Sequence, residues 1–383
     1  MAHLPQSVEE AVTQKFEENF RERGELGASL SIWKAGVEVL SLSHGSTNRE
    51  RTKPWTSETI VPVWSATKGP AAVACLVALH EAGLPLDCAV SEIWPEFVAA
   101  GKEHITFAQV LSHRAGLCVL EERAPMMNYD AVITALERQT PLWPPGTWQA
   151  YHARTFGFLL DEIVRRVTGA ASIGEYFREI IGGPLALDFW IGLPQDRWDR
   201  VATIYPGKIS INARDQAFLK AFNTPGSVTQ RAFASPVGLA TVSDLNRPEA
   251  WAAGYASMGG VGSASALGNF YSMLVSGGQS LVPTEVIDQL RTPLSQDNDA
   301  VLCLDAAFSV GMMMDPVHAM TGEKLRSLLG PSTQAFGHPG AGGSLAFADP
   351  ENRIAFAYVM NQMEIGVLPS EKALGLVEVL YSA

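Results

Sequence analysis

The chain has 383 residues, of which 47% are hydrophobic and 18% are charged. This composition excludes a disordered protein, because so apolar a chain can bury enough surface to offset its loss of conformational entropy. A formal net charge of −12 opposes binding to nucleic acid and to anionic membranes. At about 150 residues per unit, the length predicts two or three structural units.

The cysteines indicate neither a disulfide framework nor a zinc site, because no two of them form a C-x-x-C pair. They are Cys75, Cys88, Cys118 and Cys303. The acidic segment over residues 1–10 lacks the basic and apolar parts of a secretion signal, so we expect a cytoplasmic protein. The longest apolar run, residues 71–79, is about half the ~20 residues of a membrane span. We therefore expect no membrane segment, no metal and no cofactor.

The N-terminal part predicts a helix followed by a β-hairpin. Ser7-Val-Glu-Glu10 has the form of a capping box, and apolar residues then recur every four positions, which predicts a helix over about 7–23. Residues 28–34 and 37–42 alternate in polarity on either side of Lys34-Ala-Gly36. This pattern is typical of two strands joined by a tight turn.

The middle of the chain, from about residue 70 to 169, has helical periodicity interrupted by proline-rich segments. Thr106-Phe-Ala-Gln109 forms another capping box, and an apolar stripe ends at Gly169, which favours a helix end there. The stretch from Tyr205 to Pro236 shows little periodicity. We expect this stretch to be a long loop over the functional site.

The C-terminal part returns to strands. Residues 344–348 and 354–360 flank a turn-forming segment that contains Asp349-Pro350, and apolar residues at three-residue steps then predict a final helix. Strands at both ends with helices between them predict an α/β fold of the α+β type, with a central antiparallel sheet built from both termini and flanked by helices. We expect a discontinuous α/β domain over residues 1–80 and 195–383, and a mostly helical inserted domain over 81–194.

The strongest chemical signal is Val63-Trp-Ser65-Ala-Thr-Lys68-Gly-Pro, which precedes a helix-compatible run. Residues three apart on a helix lie on one face, so the Ser65 hydroxyl and the Lys68 amine can be hydrogen-bonded neighbours. Such a pair can act as a nucleophile and its base. A free lysine titrates near ~10.4, so burial or positive neighbours must lower the pKa of Lys68 toward neutrality, at roughly 4 kcal/mol, before it accepts the serine proton.

The Ser-x-x-Lys spacing alone does not establish this chemistry, because Ser31-Ile-Trp-Lys34 has the same form. In a strand, an odd separation points two side chains to opposite faces, so this second copy is not a catalytic pair. For Ser65 and Lys68 the competing interpretation is a helix cap followed by a solvated lysine.

A serine–lysine pair also needs a group that carries a proton to the leaving group, and a tyrosine can do so. Tyr151 follows the rigid turn Pro144-Pro-Gly146 and precedes the apolar stripe of the next helix, a position that can face a cleft. The competing interpretation is a ring packed in the core. Trp148 either forms a pocket wall or packs as a structural tryptophan, and the role of His152 is open.

The segment Phe336-Gly-His338-Pro-Gly340-Ala-Gly-Gly-Ser344 is rich in glycine and leads into a strand. Glycines let the backbone approach a ligand closely, so an amide of this segment can bind an oxyanion beside the amide of Ser65. The competing interpretation is a plain glycine-rich turn.

Ser65-Ala-Thr-Lys68, Tyr151 after Pro145-Gly146, and His338-Pro-Gly340 match three motifs of the serine β-lactamase and penicillin-binding-protein superfamily in order and in approximate spacing. The chain most resembles the family VIII carboxylesterases, which are similar to class C β-lactamases. Further matching segments at residues 110–117, 347–350 and 357–361 extend the resemblance over most of the chain.

The resemblance implies a β-lactamase or transpeptidase-like fold and an acyl-enzyme mechanism. It implies Ser65 as the acylated nucleophile, and Lys68 and Tyr151 as the base and proton relay. It also implies the backbone amides of Ser65 and Ala341 as the oxyanion hole. We expect substrate contacts at His338, Gly340, Trp148 and His152.

Two departures from the family pattern inform the substrate. β-Lactamases usually carry Tyr-x-Asn, whose asparagine holds a substrate amide, but this chain has Ala153 there. They also usually carry Lys-Thr-Gly, whose lysine attracts the substrate carboxylate, whereas His338 near its reference pKa of ~6.5 is mostly neutral at pH 7. Both departures favour ester hydrolysis over β-lactam recognition. The lack of a Gly-x-Ser-x-Gly pattern argues against an α/β-hydrolase elbow.

We therefore expect a serine hydrolase that cleaves carboxylic esters of small acyl groups, with a small-molecule ester as its partner and neither nucleic acid nor a membrane. The alternative activities are hydrolysis of β-lactams or peptide amides, and acyl transfer to another acceptor. An alternative of another class is a non-catalytic ligand-binding or sensor module in which Ser65 reacts poorly. The sequence indicates no particular oligomeric state.

Overall fold

A computed structural model describes residues 3–207 and 215–382 of the chain. Its strands are β1 (Gly27–Lys34), β2 (Val37–Gly45), β3 (Val61–Pro62), β4 (Phe189–Trp190), β5 (Val261–Gly262), β6 (Ser295–Asp299), β7 (Leu304–Phe308), β8 (Met313–Met314), β9 (Phe336–Pro339), β10 (Leu345–Asp349) and β11 (Ile354–Met360). Its α-helices are α1 (Gln6–Glu22), α2 (Lys68–Glu81), α3 (Phe107–Leu111), α4 (Tyr129–Arg138), α5 (Thr155–Thr168), α6 (Ile173–Phe177), α7 (Gln216–Phe222), α8 (Val228–Ala234), α9 (Pro248–Ala253), α10 (Ala264–Val275), α11 (Thr284–Leu290) and α12 (Glu371–Tyr381).

The larger sheet has eight strands within the described residues, in the order β2-β1-β11-β10-β9-β8-β7-β6, and its neighbouring strands are antiparallel. β1 pairs with β11 from Ala28 opposite Met360 to Lys34 opposite Ile354. Strands from the two ends of the chain therefore lie side by side, and the predicted sheet built from both termini is confirmed. A smaller sheet has the order β3-β5-β4.

Helices cover both faces of the larger sheet. On one face, α1 and α12 pack together, and Val12 and Phe16 join a buried cluster with Phe347 and Phe356 of the sheet. On the other face, α10 packs against β1, β10 and β11. α2 belongs to the larger core beyond this layer and is buried from Lys68 to Leu79. Because α2 is enclosed on all sides, its sequence is apolar around its circumference and does not show a single stripe.

Most local predictions are confirmed, with one exception at the N-terminus. Both hairpins form, the Thr106 and Gln109 capping box forms, and α5 ends at Gly169 in the left-handed conformation with φ 77°. The capping box predicted at Ser7 is wrong. α1 begins one residue earlier than its start in that prediction, at Gln6 after Pro5, and Pro5 makes no side-chain cap. Ser7 therefore lies inside the first turn.

The predicted long loop from Tyr205 to Pro236 is wrong in part, because this stretch contains α7 and α8. The two helices are held by an aromatic cluster in which the ring of Phe233 lies 5.4 Å from Phe218 and 5.7 Å from Phe222. Each helix has only seven residues, which is too short to produce a clear period. Residues 208–214 of the predicted loop lie outside the described residues.

Over residues 3–207 and 215–382, no helix combines the length and the hydrophobicity that a membrane crossing requires. The division into domains at residues 80 and 194 stays a prediction.

Candidate active site

Ser65 lies in a strained turn at the start of α2. A 3-10 turn, Trp64–Thr67, runs directly into the helix, and Trp64 has φ 52°. A bulky residue rarely adopts this left-handed conformation, and such strain is concentrated at functional sites. Thr67 holds the turn, since its hydroxyl donates to the Trp64 carbonyl at 2.5 Å and accepts from the Gly260 amide at 2.8 Å. The turn leaves Ser65 half-buried while Lys68, three residues on, is fully buried.

The Lys68 amine is surrounded by three oxygen atoms. Its Nζ lies 2.8 Å from the Ser257 carbonyl oxygen, 3.0 Å from the Ala153 carbonyl oxygen and 3.3 Å from Ser65 Oγ. Burial removes water from the ammonium form and holds the pKa of Lys68 well below its usual range. A neutral amine has two N–H bonds and one lone pair. The two carbonyls can accept both N–H bonds, which leaves the lone pair for the Ser65 hydroxyl proton.

Tyr151 completes the predicted catalytic group. Its phenol is buried and makes a side-chain hydrogen bond with Ser65, and Lys68 Nζ lies 4.8 Å from the centre of its ring. Burial raises the pKa of Tyr151 above its ordinary value, although the hydrogen bond with Ser65 acts in the opposite direction. The phenol therefore keeps its proton at neutral pH and can donate it. The structure brings the three predicted side chains together.

The turn between β9 and β10 lies directly against the turn that carries Ser65. A Cβ atom on Gly340 would lie only 2.2 Å from the Val63 carbonyl oxygen, so this approach requires glycine. The Gly340 amide donates to the Ser344 carbonyl at 2.6 Å and the Gly342 amide to the Gly366 carbonyl at 3.2 Å. In the described part of the chain, no backbone acceptor binds the intervening amide of Ala341. The donor of that amide is therefore free among the described residues, as the predicted oxyanion hole requires.

His338 lies in β9 and is fully buried beside the catalytic group, with its ring centre 5.8 Å from that of Tyr151. Its Nδ1 donates to the Pro339 carbonyl at 2.7 Å, and its Nε2 has no partner among the described residues. Burial lowers the pKa of His338 to about 3. The imidazole is therefore neutral at pH 7, and because Nδ1 carries the proton, the free Nε2 can only accept a hydrogen bond.

The other two predicted substrate contacts lie in different settings. His152 is buried, its Nε2 accepts from the Leu117 amide at 3.1 Å, and its Nδ1 donates to the Ala150 carbonyl at 2.7 Å. Burial lowers its pKa to about 4. Both ring nitrogens are thus engaged by the backbone. Trp148 is 60% exposed and packs on Trp143 with ring centres 5.8 Å apart. The substrate contacts assigned to these residues stay predictions.

Three residues near the catalytic group were missed by the sequence analysis. Ser257 supplies a carbonyl to Lys68, and Asp299 accepts a hydrogen bond from the Tyr151 amide at 3.1 Å. Arg154 donates from its guanidinium to three carbonyls within residues 236–239 and so ties that segment to the start of α5. Burial lowers the pKa of Arg154 to about 10. These contacts join residues that are far apart in the sequence, so no local sequence pattern predicts them.

Among residues 3–207 and 215–382, no group of three acidic, cysteine or histidine side chains is arranged to hold a metal ion. The chemistry that the site can perform with its own groups is a nucleophilic attack by a serine hydroxyl, assisted by a neutral amine, a phenol and backbone amides.

Comparison with known proteins identifies a family and a curated relative of the chain. The family model described as Beta-lactamase matches residues 12–378. The esterase/beta-lactamase LipL of Mycobacterium tuberculosis (strain ATCC 25618 / H37Rv) is 29% identical over 374 residues, a match that covers 92% of this chain and 81% of LipL.

Solved structures with similar folds match over nearly the whole chain. A family VIII carboxylesterase is 30% identical, with a TM-score of 0.86 and coverage of 99% of this chain and 98% of the other. A penicillin-binding protein homologue from Caulobacter crescentus is 33% identical, with a TM-score of 0.83 and the same coverage. The sequence-based resemblance to this superfamily is confirmed.

Proposed function

Because the chain belongs to the beta-lactamase family, we propose that it is a serine carboxylesterase that hydrolyses esters of small acyl groups through an acyl-enzyme on Ser65. The similar carboxylesterase structure and the esterase/beta-lactamase relative support hydrolase activity. The observation that carries the proposal is the setting of Lys68. Its two carbonyl partners use the N–H bonds of a neutral amine, and the lone pair is left for Ser65.

Acylation begins when Ser65 Oγ attacks the ester carbonyl carbon and its proton passes to Lys68. The carbonyl oxygen becomes an oxyanion that the amides of Ser65 and Ala341 bind; such a donor is typically worth about 3 kcal/mol. When the tetrahedral intermediate collapses, the C–O bond to the alcohol breaks and the leaving oxygen takes the Tyr151 phenolic proton. Lys68 returns the serine proton to Tyr151, so both groups recover their starting states.

Deacylation repeats these steps with water. Water gives a proton to the Tyr151 and Lys68 pair as its oxygen attacks the acyl carbon. The bond to Ser65 Oγ then breaks, and Oγ takes that proton back. The products are the free acid and the unmodified enzyme, and an alcohol in place of water would give acyl transfer.

The substrate preference rests on two positions. Ala153 offers Lys68 its carbonyl but has no side-chain amide to hold a substrate amide. The neutral His338 provides no positive charge for the carboxylate of a β-lactam. We therefore propose a neutral small-molecule ester as the substrate, acting in the cytoplasm without nucleic acid or membrane partners. β-Lactam hydrolysis is the second candidate, because the similar LipL is named both an esterase and a beta-lactamase.

The test compares wild type with Ser65→Ala in hydrolysis of p-nitrophenyl butyrate, with nitrocefin run in parallel and intact mass recorded early in each reaction. We expect rapid ester turnover and a butyryl adduct in wild type, and neither in Ser65→Ala. Ser31→Ala is the matched control, because Ser31 heads the other Ser-x-x-Lys copy and donates to Glu38 at 2.6 Å within the sheet. We expect that variant to stay active.

Ester turnover that survives in Ser65→Ala contradicts the proposal. Nitrocefin turnover as fast as ester turnover favours the second candidate. Absence of both activities and of any adduct on Ser65 favours the non-catalytic binding module.

A further inference from the structure

One buried carboxylate, that of Asp299, holds the backbone that carries Tyr151. Asp299 ends β6 and is fully buried. Its Oδ1 accepts from the amides of Tyr151 at 3.1 Å, Val301 at 2.9 Å and Leu302 at 2.8 Å. Its Oδ2 accepts from the Gln149 side chain at 3.3 Å. One carboxylate thus joins the β6–β7 turn to the segment that precedes α5.

A backbone hydrogen bond also connects the β6–β7 turn to the Tyr151 segment. The Ala300 amide donates to the Gln149 carbonyl at 3.0 Å, so the turn and the Tyr151 segment are bonded in both directions. Tyr151 itself lies outside any helix or strand, since α5 begins at Thr155. Its amide therefore has no ladder or helical partner and depends on Asp299.

The ring of Tyr151 also packs on the strand that follows this turn. Its centre lies 6.2 Å from that of Phe308 in β7, with the planes 12° apart. The ring also packs on His338 at 5.8 Å and on His113 at 5.0 Å, so these rings set its orientation, whereas the hydrogen bond to the amide fixes the distance of the residue from the turn. The carboxylate thus holds the backbone of Tyr151, and the neighbouring rings hold its side chain.

We propose that Asp299 is a positioning residue for the proton-donating phenol of Tyr151. This inference rests on the proposed function, in which Tyr151 protonates the leaving alcohol. A buried phenol with a fixed backbone delivers its proton along one path, and a displacement of about 1 Å in such an arrangement can cost ~10²-fold in rate. Burial raises the pKa of Asp299 itself; in its ionised form Asp299 also raises the pKa of Tyr151, although less than burial does.

The test uses two butyrate esters with different leaving groups. p-Nitrophenolate is a weak base that leaves without a proton, whereas ethoxide from ethyl butyrate needs one. We expect Asp299→Ala to lower kcat/KM for ethyl butyrate about tenfold more than for p-nitrophenyl butyrate, in the same direction as Tyr151→Phe. Asp299→Asn keeps an acceptor at Oδ1 and should stay near the wild-type ratio.

Asp349→Ala is the matched control, because Asp349 is also fully buried at a strand end and accepts from the Asn352 amide at 3.1 Å. Asp349→Ala should change kcat/KM for both esters by the same factor. If Asp299→Ala does not fold, Asp299→Ser replaces it in the test. The serine hydroxyl can accept a hydrogen bond from the Val301 or Leu302 amide, but the serine side chain is too short to reach the Tyr151 amide.

An equal loss of kcat/KM for both esters in Asp299→Ala, or in Asp299→Ser where the alanine variant does not fold, overturns the inference. That result leaves the proposed function intact if Tyr151→Phe still loses more activity on ethyl butyrate than on p-nitrophenyl butyrate and Ser65→Ala is inactive. Activity that persists in Ser65→Ala, in contrast, removes the proposed function itself.

Discussion

Gly340→Ala tests whether the β9–β10 turn holds half of the oxyanion hole. The new Cβ would lie 2.2 Å from the Val63 carbonyl oxygen and 3.1 Å from Ser344 Cβ. The Val63 carbonyl belongs to the backbone, and Ser344 Cβ is fixed to the backbone of the β9–β10 turn. Neither atom can move aside by rotation of a side chain. The two turns must separate by about 1 Å to reach an ordinary contact, and the Ala341 amide moves with Gly340.

The separation weakens one of two oxyanion donors. Removal of such a donor typically costs 10²–10³ in kcat, or about 2.7–4 kcal/mol. We expect Gly340→Ala to lower kcat for p-nitrophenyl butyrate by roughly 10²-fold with a smaller change in KM, because the donor binds charge that develops only in the transition state. The affinity for an alkyl boronic acid, which forms a tetrahedral anion on a serine, should fall in parallel.

Gly174→Ala separates this effect from general overpacking. Gly174 lies in α6, and a Cβ atom added to it would lie 1.8 Å from the Ile191 carbonyl oxygen. We expect it to lower the thermal midpoint while kcat of the folded protein is kept. If Gly340→Ala retains wild-type kcat and boronate affinity, the placement of the oxyanion hole at Ala341 is refuted.

Three further predictions concern buried titratable side chains. Lys68→Met should abolish ester turnover in a folded protein, and in wild type kcat/KM should fall as the pH drops through the lowered pKa of Lys68, because the protonated amine cannot accept the Ser65 proton. Histidine NMR titration should show His338 and His152 neutral down to pH 5, since burial lowers their pKa values to about 3 and about 4; a titration near ~6.5 would contradict their burial. Lys372→Met removes the partner of Glu25, which lies 3.1 Å away with both side chains buried, and should lower the free energy of unfolding by about 3–5 kcal/mol in chemical denaturation. Burial already raises the pKa of Glu25, so the loss should shrink as acid protonates Glu25, and an equal loss at every pH would argue against an uncompensated carboxylate.

Features that depend on neighbours a few residues away could be predicted from the amino-acid sequence alone. The three-residue step from Ser65 to Lys68, the two terminal hairpins and the stop at Gly169 follow from periodicity and turn chemistry over a few residues. Terminal strands around a helical middle then predicted an antiparallel sheet made from both ends. The register of β1 on β11 confirms it.

The contacts that support the proposed catalytic residues depend on the fold of the whole chain. Tyr151 and Asp299 are 148 residues apart in sequence, and Lys68 and Ser257 are 189 apart. A single carboxylate or carbonyl has no periodic signature, because its role depends on which distant amide or amine the fold brings to it. The helices α7 and α8 escaped prediction for a related reason, since their stability comes from mutual aromatic packing and not from a repeated local pattern.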